Sequence, residues 1–193
     1  MHHIHHTEGI IFGSKNFGEA GRYYYIFTRD LGMVYASAQG VRKMSSKLRF
    51  VLHDFAYVKV DLVQGKDFWR VTSATKTNTL EQIIKQPEHF EVFANISRLL
   101  KRLLTGTATN EILFADLLNG LSSLEKSKTI EDLHNLEIII VLRILHNLGY
   151  IGGNATLQTF IQSPLEEEMV FEISKNRGVI ISEINKALKE THL

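Results

Sequence analysis

Residues 21–38 read GRYYYIFTRDLGMVYASA, and this stretch decides the fold class of the first half of the chain. Two runs rich in aromatic and other apolar residues, 21–28 and 32–38, are separated by turn-forming residues at 30–32. The second run alternates between two sets of side chains with a period of two, which is the period of a strand. The stretch therefore predicts two consecutive β-strands.

Three further runs of the same kind lie on either side of this pair. They span residues 7–12, 55–63 and 68–74, and turn signals stand at 16–18 and 65–67. Five short strands in about 75 residues fit a small closed barrel, and the OB-fold is the commonest barrel of that size. We therefore predict an α+β protein that begins with a five-stranded OB-fold barrel in residues 1–78.

From residue 79 onward the apolar positions follow a helical period. The pattern predicts helices at 79–86, 88–104, 110–124 and 130–148, and a terminal helix that begins at Ser182. The segment 130–148 is apolar around nearly its whole circumference, which indicates a buried central helix with Gly149 as its C-terminal cap. Residues 79–193 are therefore predicted to form a helical domain.

One segment of this second domain departs from the helical pattern. Residues 169–173 and 179–181 are apolar runs on either side of Lys175-Asn176-Arg177-Gly178. A short polar segment that ends in glycine favours a tight turn between two strands. We therefore predict a small β-hairpin inside an otherwise all-helical C-terminal domain.

The composition excludes several classes of protein. The chain of 193 residues has no cysteine, which excludes disulfides, cysteine nucleophiles, iron–sulfur clusters and thiolate zinc sites. It also lacks a phosphate-binding loop, a dinucleotide-binding glycine motif and a serine-nucleophile motif. The longest strictly apolar run, 138–142, is far shorter than a membrane span, and residues 1–6 lack the apolar core of a secretory signal. We expect a cytoplasmic protein that is not an enzyme, holds no cofactor and contacts no membrane.

Charge is divided unevenly along the chain. Residues 1–80 carry 11 Lys and Arg against 6 Asp and Glu, whereas residues 81–193 carry 11 against 15. The resulting net charges, +5 and −4, sum to the +1 of the whole chain. A basic first half indicates that the barrel has a polyanionic partner.

Six short motifs follow one another through the predicted barrel. They are TEGII at 7–11, FGEAGR at 17–22, FTRDLG at 27–32, ASAQGVRK at 36–43, SKLR at 46–49 and LHDF at 52–55. Each motif is weak alone, but their order and spacing resemble the N-terminal domain of the RecO family of recombination mediator and DNA-repair proteins. Two positions depart from the usual sequence of these motifs in the family: Gly21 replaces an aspartate and Asp54 replaces a proline.

A fainter resemblance continues in the second half. Leu148-Gly149-Tyr150 is similar to the end of the central helix of the RecO family. Many members then carry two CxxC pairs, whereas this chain has Gly152-Gly153-Asn154-Ala155. The resemblance therefore implies a short, cysteine-free member that lacks the zinc finger and holds no metal.

The resemblance also implies a function and a set of partners. A RecO-type protein acts in the RecF pathway of DNA repair, binds single- and double-stranded DNA, anneals complementary strands and assists RecA in replacing single-stranded DNA-binding protein. The implied protein partners are RecR and the acidic C-terminal tail of single-stranded DNA-binding protein, with RecA affected indirectly, at the nucleoid. The residues alone leave a second class open, an OB-fold adaptor that binds RNA or a protein and has no recombination role.

Candidate DNA-binding residues cluster between the third and fourth predicted strands. Four cations fall within eight residues there and could neutralise several phosphates: Arg42, Lys43, Lys47 and Arg49. Such a loop also occurs for solubility alone. The other cations expected at the interface are Arg22, Arg29, Lys59, Lys66 and Arg70, and the candidates for base stacking are Trp69, Phe68 and Tyr57. Most aromatic residues of 23–27, and Phe55, are expected in the barrel core.

Arg98, Lys101 and Arg102 share one face of the second predicted helix. Cations at the end of a helix are explained by the helix dipole without any partner. Together with Arg143 of the central helix, they are also candidates for binding the acidic tail of single-stranded DNA-binding protein.

Histidines crowd the start of the chain, at His2, His3, His5 and His6. Only Glu8 offers a nearby carboxylate, and no HExxH motif is present. We therefore predict no metal site, and a metal-dependent nuclease that uses His3 and His5 is the least favoured alternative.

Overall fold

Five strands follow one another in the first part of the chain and close into a barrel. The structure is a computed structural model that describes residues 3–77, 80–104, 106, 108–152 and 155–191. The strands are β1 (Ile4–Phe17), β2 (Gly21–Thr28), β3 (Gly32–Ala38), β4 (Tyr57–Gln64) and β5 (Trp69–Lys76). Their order around the barrel is β1-β2-β3-β5-β4, and the predicted five-stranded barrel of OB-fold type is confirmed.

The longest strand, β1, pairs with two neighbours. Its first half runs antiparallel to β4 and its second half runs antiparallel to β2. A bulge between Ile11 and Gly13 shifts the register within the pairing of β1 with β2 and lets the strand bend around the barrel. The sequence predicted only residues 7–12, because the polar residues at both ends of β1 lack the alternation that marks a half-buried strand.

The barrel closes where β3 and β5 meet in parallel. Only Ala36 with Trp69 and Ser37 with Arg70 are paired there, whereas the other four strand pairs run along most of each strand. The side chains that fill the barrel come from every strand and from the loop after β3, and they include Ile11, Tyr24, Ile26, Val34, Val58, Leu62 and Val71. Their burial holds the sheet closed.

Helices make up the rest of the chain. They are α1 (Pro87–Leu103), α2 (Glu111–Lys126), α3 (Ile130–Asn147), α4 (Ala155–Gln162) and α5 (Glu167–Glu190). The predicted helix at 79–86 is reduced to the 3₁₀ turn Ile83–Lys85, and its predicted cap Thr79 lies outside the described residues. None of the described helices combines the length and hydrophobicity that a membrane span requires.

The central helix α3 packs against α4 and α5. Thr129 caps its first turn, since the Thr129 hydroxyl accepts a hydrogen bond from the Asp132 amide at 3.0 Å. Gly149 follows its end with a φ of 81°, as expected for a glycine at that position. The prediction of a buried central helix at this position is confirmed.

The predicted β-hairpin at 169–181 is wrong, because these residues lie inside the continuous helix α5. The buried positions of α5, Val170, Ile173, Ile180, Ile184 and Ala187, follow a helical spacing. Gly178 is exposed within this helix and has open space where a Cβ would stand. A glycine there weakens a helix by only about 1 kcal/mol, which the burial of the apolar stripe outweighs.

By its internal contacts the described chain separates into two units. The first comprises Met1–Glu81 with Leu103–Phe114, and the second comprises Gln82–Arg102 with Ala115–Leu193. The barrel belongs to the first unit. Helices α3, α4 and α5 belong to the second.

Candidate nucleic-acid interface

The basic loop, residues 41–52, is an ordered segment. Val41 and Leu52 at its two ends are buried in the barrel core. Between them the backbone makes successive turns, with hydrogen bonds from the Ser46 amide to the Lys43 carbonyl at 3.0 Å and from the Leu52 amide to the Leu48 carbonyl at 2.8 Å. The four predicted cations of this loop, Arg42, Lys43, Lys47 and Arg49, are all exposed. The loop thus presents four positive charges on a fixed backbone.

Three arginines line one surface depression of about 400 Å³ beside this loop. Arg42 and Arg49 come from the basic loop, and Arg22 comes from the start of β2. The loop is brought to β2 by a hydrogen bond of 3.0 Å from the Arg42 amide to the Ala20 carbonyl. Three guanidinium groups around one depression fit the binding of phosphate oxygens.

Tyr24 also lines this depression, and its hydroxyl donates to the Leu52 carbonyl at 3.2 Å. Burial raises the pKa of Tyr24, and the positive charge of Arg22 opposes the rise. Tyr24 therefore adds an uncharged side chain to the lining of this depression.

Arg29 and Lys59 lie elsewhere, on a second depression that also contains Glu8, Asp30 and Asp61. The Arg29 guanidinium donates to a Glu8 carboxylate oxygen at 2.7 Å. The structure therefore does not bring these two predicted cations to the three arginines, and nearby carboxylates offset their charge.

Tyr57, predicted as a stacking residue, is only 7% exposed. Its hydroxyl donates to the same Glu8 carboxylate at 2.9 Å. Burial and the Glu8 carboxylate raise the pKa of Tyr57 to about 12, so the phenol stays neutral. A base has no access to this ring, and the prediction for Tyr57 is wrong.

The outer surface of β2 and β3 carries stacked aromatic rings. We call these the aromatic ladder, and its members are Phe17, Tyr23, Tyr25, Tyr35 and Phe68. Ring centroids are 4.3 Å apart for Phe17 and Tyr23, 4.8 Å for Tyr23 and Tyr35, and 4.8 Å for Tyr25 and Tyr35. Phe68 meets Tyr23 edge to face at 5.2 Å.

The position of the aromatic ladder matches the ligand surface of OB-folds. Strands 2 and 3, with the loops between strands 1 and 2 and between strands 4 and 5, bind oligonucleotides in that fold. Tyr25, which is 40% exposed, and Tyr35 lie on those strands, Phe17 ends β1, and Phe68 lies just before β5. Exposed rings are where single-stranded bases stack.

Sequence reasoning placed most of 23–27 in the core and so missed the ladder. Tyr24, Ile26 and Phe27 are buried as predicted, whereas Tyr23 and Tyr25 alternate with them and point outward. No polar residue separates the two sets, so the run reads as uniformly apolar. The signal that was available is the strand period itself, which puts Tyr23 and Tyr25 on one face.

Gly21 makes room for this arrangement. A Cβ at Gly21 would lie 2.5 Å from the Phe17 ring, which is closer than side-chain atoms approach. The residue that departs from the RecO motif therefore allows Phe17 to lie against the backbone and stack on Tyr23.

The remaining predicted interface residues lie at or near β5. Lys66 and Arg70 are exposed, and Trp69 is half-buried against the barrel core. The Trp69 ring meets His5 edge to face at 5.1 Å. Trp69 is therefore partly engaged within the barrel.

On α1, Arg98, Lys101 and Arg102 are exposed. Arg143 is different, because it is only 6% exposed and its Nε donates to the Phe160 carbonyl at 3.1 Å. A second guanidinium nitrogen donates to the Ser163 carbonyl. These carbonyls lie at the end of α4, where helix carbonyls lack intrahelical partners. Arg143 therefore holds the end of α4 and does not join the exposed basic patch.

The N-terminal histidines contact the barrel. His6 forms a hydrogen bond of 2.6 Å with Asp61, and His5 lies against Trp69. His2 lies outside the described residues. Within residues that the structure describes, no three His, Asp or Glu side chains are grouped as a metal site requires.

Comparison with known proteins finds a family profile that matches the first 80 residues. They match the sequence profile described as "Recombination protein O N terminal". The DNA repair protein RecO of Heliobacterium modesticaldum is 29% identical over 147 residues, which cover 76% of this chain and 52% of that protein. The DNA repair protein RecO of Caldanaerobacter subterraneus is 22% identical over 189 residues, which cover 95% of this chain and 72% of that protein.

A third similar protein is the DNA repair protein RecO of Rubrobacter xylanophilus, 27% identical over 125 residues that cover 65% of this chain and 50% of that protein. The chain thus spans about half the length of the curated relatives it matches.

Proposed function

We propose that the chain belongs to the RecO family and is a DNA-repair protein that binds single- and double-stranded DNA as a recombination mediator, because residues 1–80 match the profile of the family's N-terminal domain. The observation that supports this most is a barrel with two complementary surfaces. The basic loop supplies charge for phosphates, and the aromatic ladder supplies rings for bases. We assign the DNA-binding role to residues 1–78 and the partner-binding role to residues 79–193.

Annealing follows from charge neutralisation. Two complementary strands repel each other through their phosphates, and a protein that releases counterions from both lowers this repulsion. Arg22, Arg42 and Arg49 bind phosphate around one depression, while the ladder holds bases of a single strand unpaired. No nucleotide hydrolysis enters this mechanism, and the chain assists RecA by removing bound protein from single strands.

In this proposal the second unit binds the protein partners. Exposed Arg98, Lys101 and Arg102 on α1 suit the acidic C-terminal tail of single-stranded DNA-binding protein. RecR is the other protein partner in this proposal.

The test compares two charge-matched triple variants. Arg42→Ala with Lys43→Ala and Lys47→Ala should weaken single-strand binding, slow annealing and flatten the salt dependence of the binding constant, by a slope of roughly 0.7 for each lost phosphate contact. Arg98→Ala with Lys101→Ala and Arg102→Ala removes the same charge and should leave DNA binding unchanged while weakening binding of an acidic tail peptide. Equal DNA affinity in wild type and the first variant would reject the basic loop. Binding to RNA without accelerated DNA annealing would instead favour the adaptor function.

A further inference from the structure

Two large apolar side chains stand exposed in the middle of the basic loop. Met44 is 80% exposed and Phe50 is 71% exposed. Arg49 connects them, since its guanidinium donates to the Met44 sulfur and lies over the Phe50 ring at 5.9 Å. We call Met44 and Phe50 the apolar tip.

The backbone holds the apolar tip in place. Phe50 ends the 3₁₀ turn Lys47–Phe50, in which the Arg49 amide donates to the Ser46 carbonyl at 3.3 Å. In the same turn Leu48 packs against the barrel core. The inward position of Leu48 leaves its neighbours Lys47 and Arg49, and Phe50 after them, on the outside. The tip is therefore presented in a fixed geometry, which lowers the entropic cost of using it.

The charge around the apolar tip indicates the class of its binding partner. Residues 40–53 contain four cations and no Asp or Glu, so the loop attracts a polyanion. If the loop bound phosphates only, Met44 and Phe50 would stay exposed to water. Proteins that bind DNA through cations use such apolar side chains as wedges, which enter between neighbouring base pairs and unstack them.

We infer that the apolar tip is a wedge that enters a base step of duplex DNA while Arg42, Lys43, Lys47 and Arg49 hold the flanking phosphates. This inference rests on the proposed function and adds a separate action to it. The cations set affinity, whereas Met44 and Phe50 open the stack. A duplex opened in this way offers unpaired bases to the aromatic ladder.

The experiment uses the full chain and a duplex with 2-aminopurine in place of one adenine, since the fluorescence of this base rises when it is unstacked. Wild type should raise the fluorescence on binding. Met44→Ala with Phe50→Ala should lose most of that rise while duplex affinity stays within about threefold and the salt slope is unchanged, because the cations remain. Both residues are exposed, so the variant should keep the thermal stability of wild type.

Phe171→Ala is the matched control. Phe171 is also an exposed phenylalanine with a cation over its ring, Lys175 at 5.0 Å, but it lies on α5. This variant should raise the fluorescence as wild type does. Phe50→Leu should restore part of the signal, because a wedge requires apolar volume.

Three results would overturn the inference. A fluorescence rise that is equal in wild type and in the tip variant would remove the wedge, and so would duplex binding by wild type without any rise. Phe50-dependent binding to vesicles of anionic phospholipid, without a duplex signal, would assign the tip to a membrane surface instead. In these cases single-strand binding and annealing would still support the proposed function, whereas absence of all DNA binding would overturn both.

Discussion

Tyr25 of β2 and Tyr35 of β3 are directly paired across the sheet, and their rings lie 4.8 Å apart on the outside of the barrel. Paired aromatic residues stabilise a sheet by about 0.2–1 kcal/mol. The barrel core is already filled from the other face, so these rings are free to take a second role. In the proposed function, these two rings are candidates for stacking on the bases of a single strand.

Removal of this pair should weaken single-strand binding without altering its electrostatics. Tyr25→Ala with Tyr35→Ala should cost about 1–3 kcal/mol for each base that stacks, which is roughly 5-fold to 160-fold in affinity. The salt slope should stay as in wild type, because no cation is changed. Fluorescence anisotropy with a labelled oligonucleotide at several salt concentrations measures both quantities. A changed slope with unchanged affinity at low salt would contradict the stacking role.

Gly21 offers a test that leaves every aromatic residue in place. Gly21→Asp puts a Cβ where the Phe17 ring lies, so Phe17 must turn away and its stack on Tyr23 is lost. We expect a fewfold loss of single-strand affinity, smaller than that of the double tyrosine variant. Gly18→Asp, in the neighbouring turn, adds the same charge as a control; a Cβ there has open space, and aspartate tolerates the φ of 53° better than most residues. Equal affinities of the two variants would show that Phe17 does not contribute.

Two helical glycines should respond to alanine in opposite directions. Gly178→Ala in α5 should stabilise the protein by about 0.4–1 kcal/mol, because the site is open and alanine favours a helix. Gly120→Ala in α2 puts a Cβ 2.6 Å from the Ile140 side chain and should destabilise by about 1–3 kcal/mol. Urea unfolding with an unchanged m-value measures both. Loss of stability in Gly178→Ala would contradict a helix at that position.

Tyr57 predicts a dependence of stability on alkaline pH. Its pKa in the folded protein is about 12, above the ordinary value of 10.0, because of burial and the Glu8 carboxylate. The unfolded chain therefore releases this proton at lower pH than the folded chain. The stabilisation is fully present below pH 10 and is lost as pH rises toward 12. Over that range the wild type should lose stability relative to Tyr57→Phe, as measured by the free energy of unfolding at each pH. If the free energies of the two proteins changed in parallel with pH, this role of Tyr57 would be ruled out.

Turn residues explain which parts of the fold could be predicted. Strands β2 and β3 begin at Gly21 and Gly32, as predicted, because glycine and aspartate mark the turns between strands. The predicted bounds of α1 and α3 agree with the observed bounds to within about one residue, since Pro87 marks the start of α1 and Gly149 follows the end of α3. The sequence of the α5 segment predicts a hairpin because Asn176 and Gly178 are typical of a turn. Only the packing of the apolar stripe makes the segment a continuous helix.

The interface was predictable in charge but not in geometry. Four cations close together are visible in the sequence, whereas the approach of Arg22 to Arg42 depends on the hydrogen bond between the basic loop and Ala20. Arg143 was assigned to the surface because charged residues usually lie there, and its burial follows from carbonyls at the end of α4 that no local pattern reveals.

The short junction of β3 and β5 gives the barrel one joint that can open while the other strand pairs stay intact. Separation there breaks few backbone hydrogen bonds, so the amides that donate across this junction should exchange with solvent through local opening well below the global free energy of unfolding. Tyr35 and Phe68 directly precede the two paired segments, which places the joint beside the aromatic ladder. In the proposed complex, a nucleic-acid strand that stacks on the ladder should stabilise the closed barrel, and its binding should slow exchange at the joint in proportion to the occupied fraction.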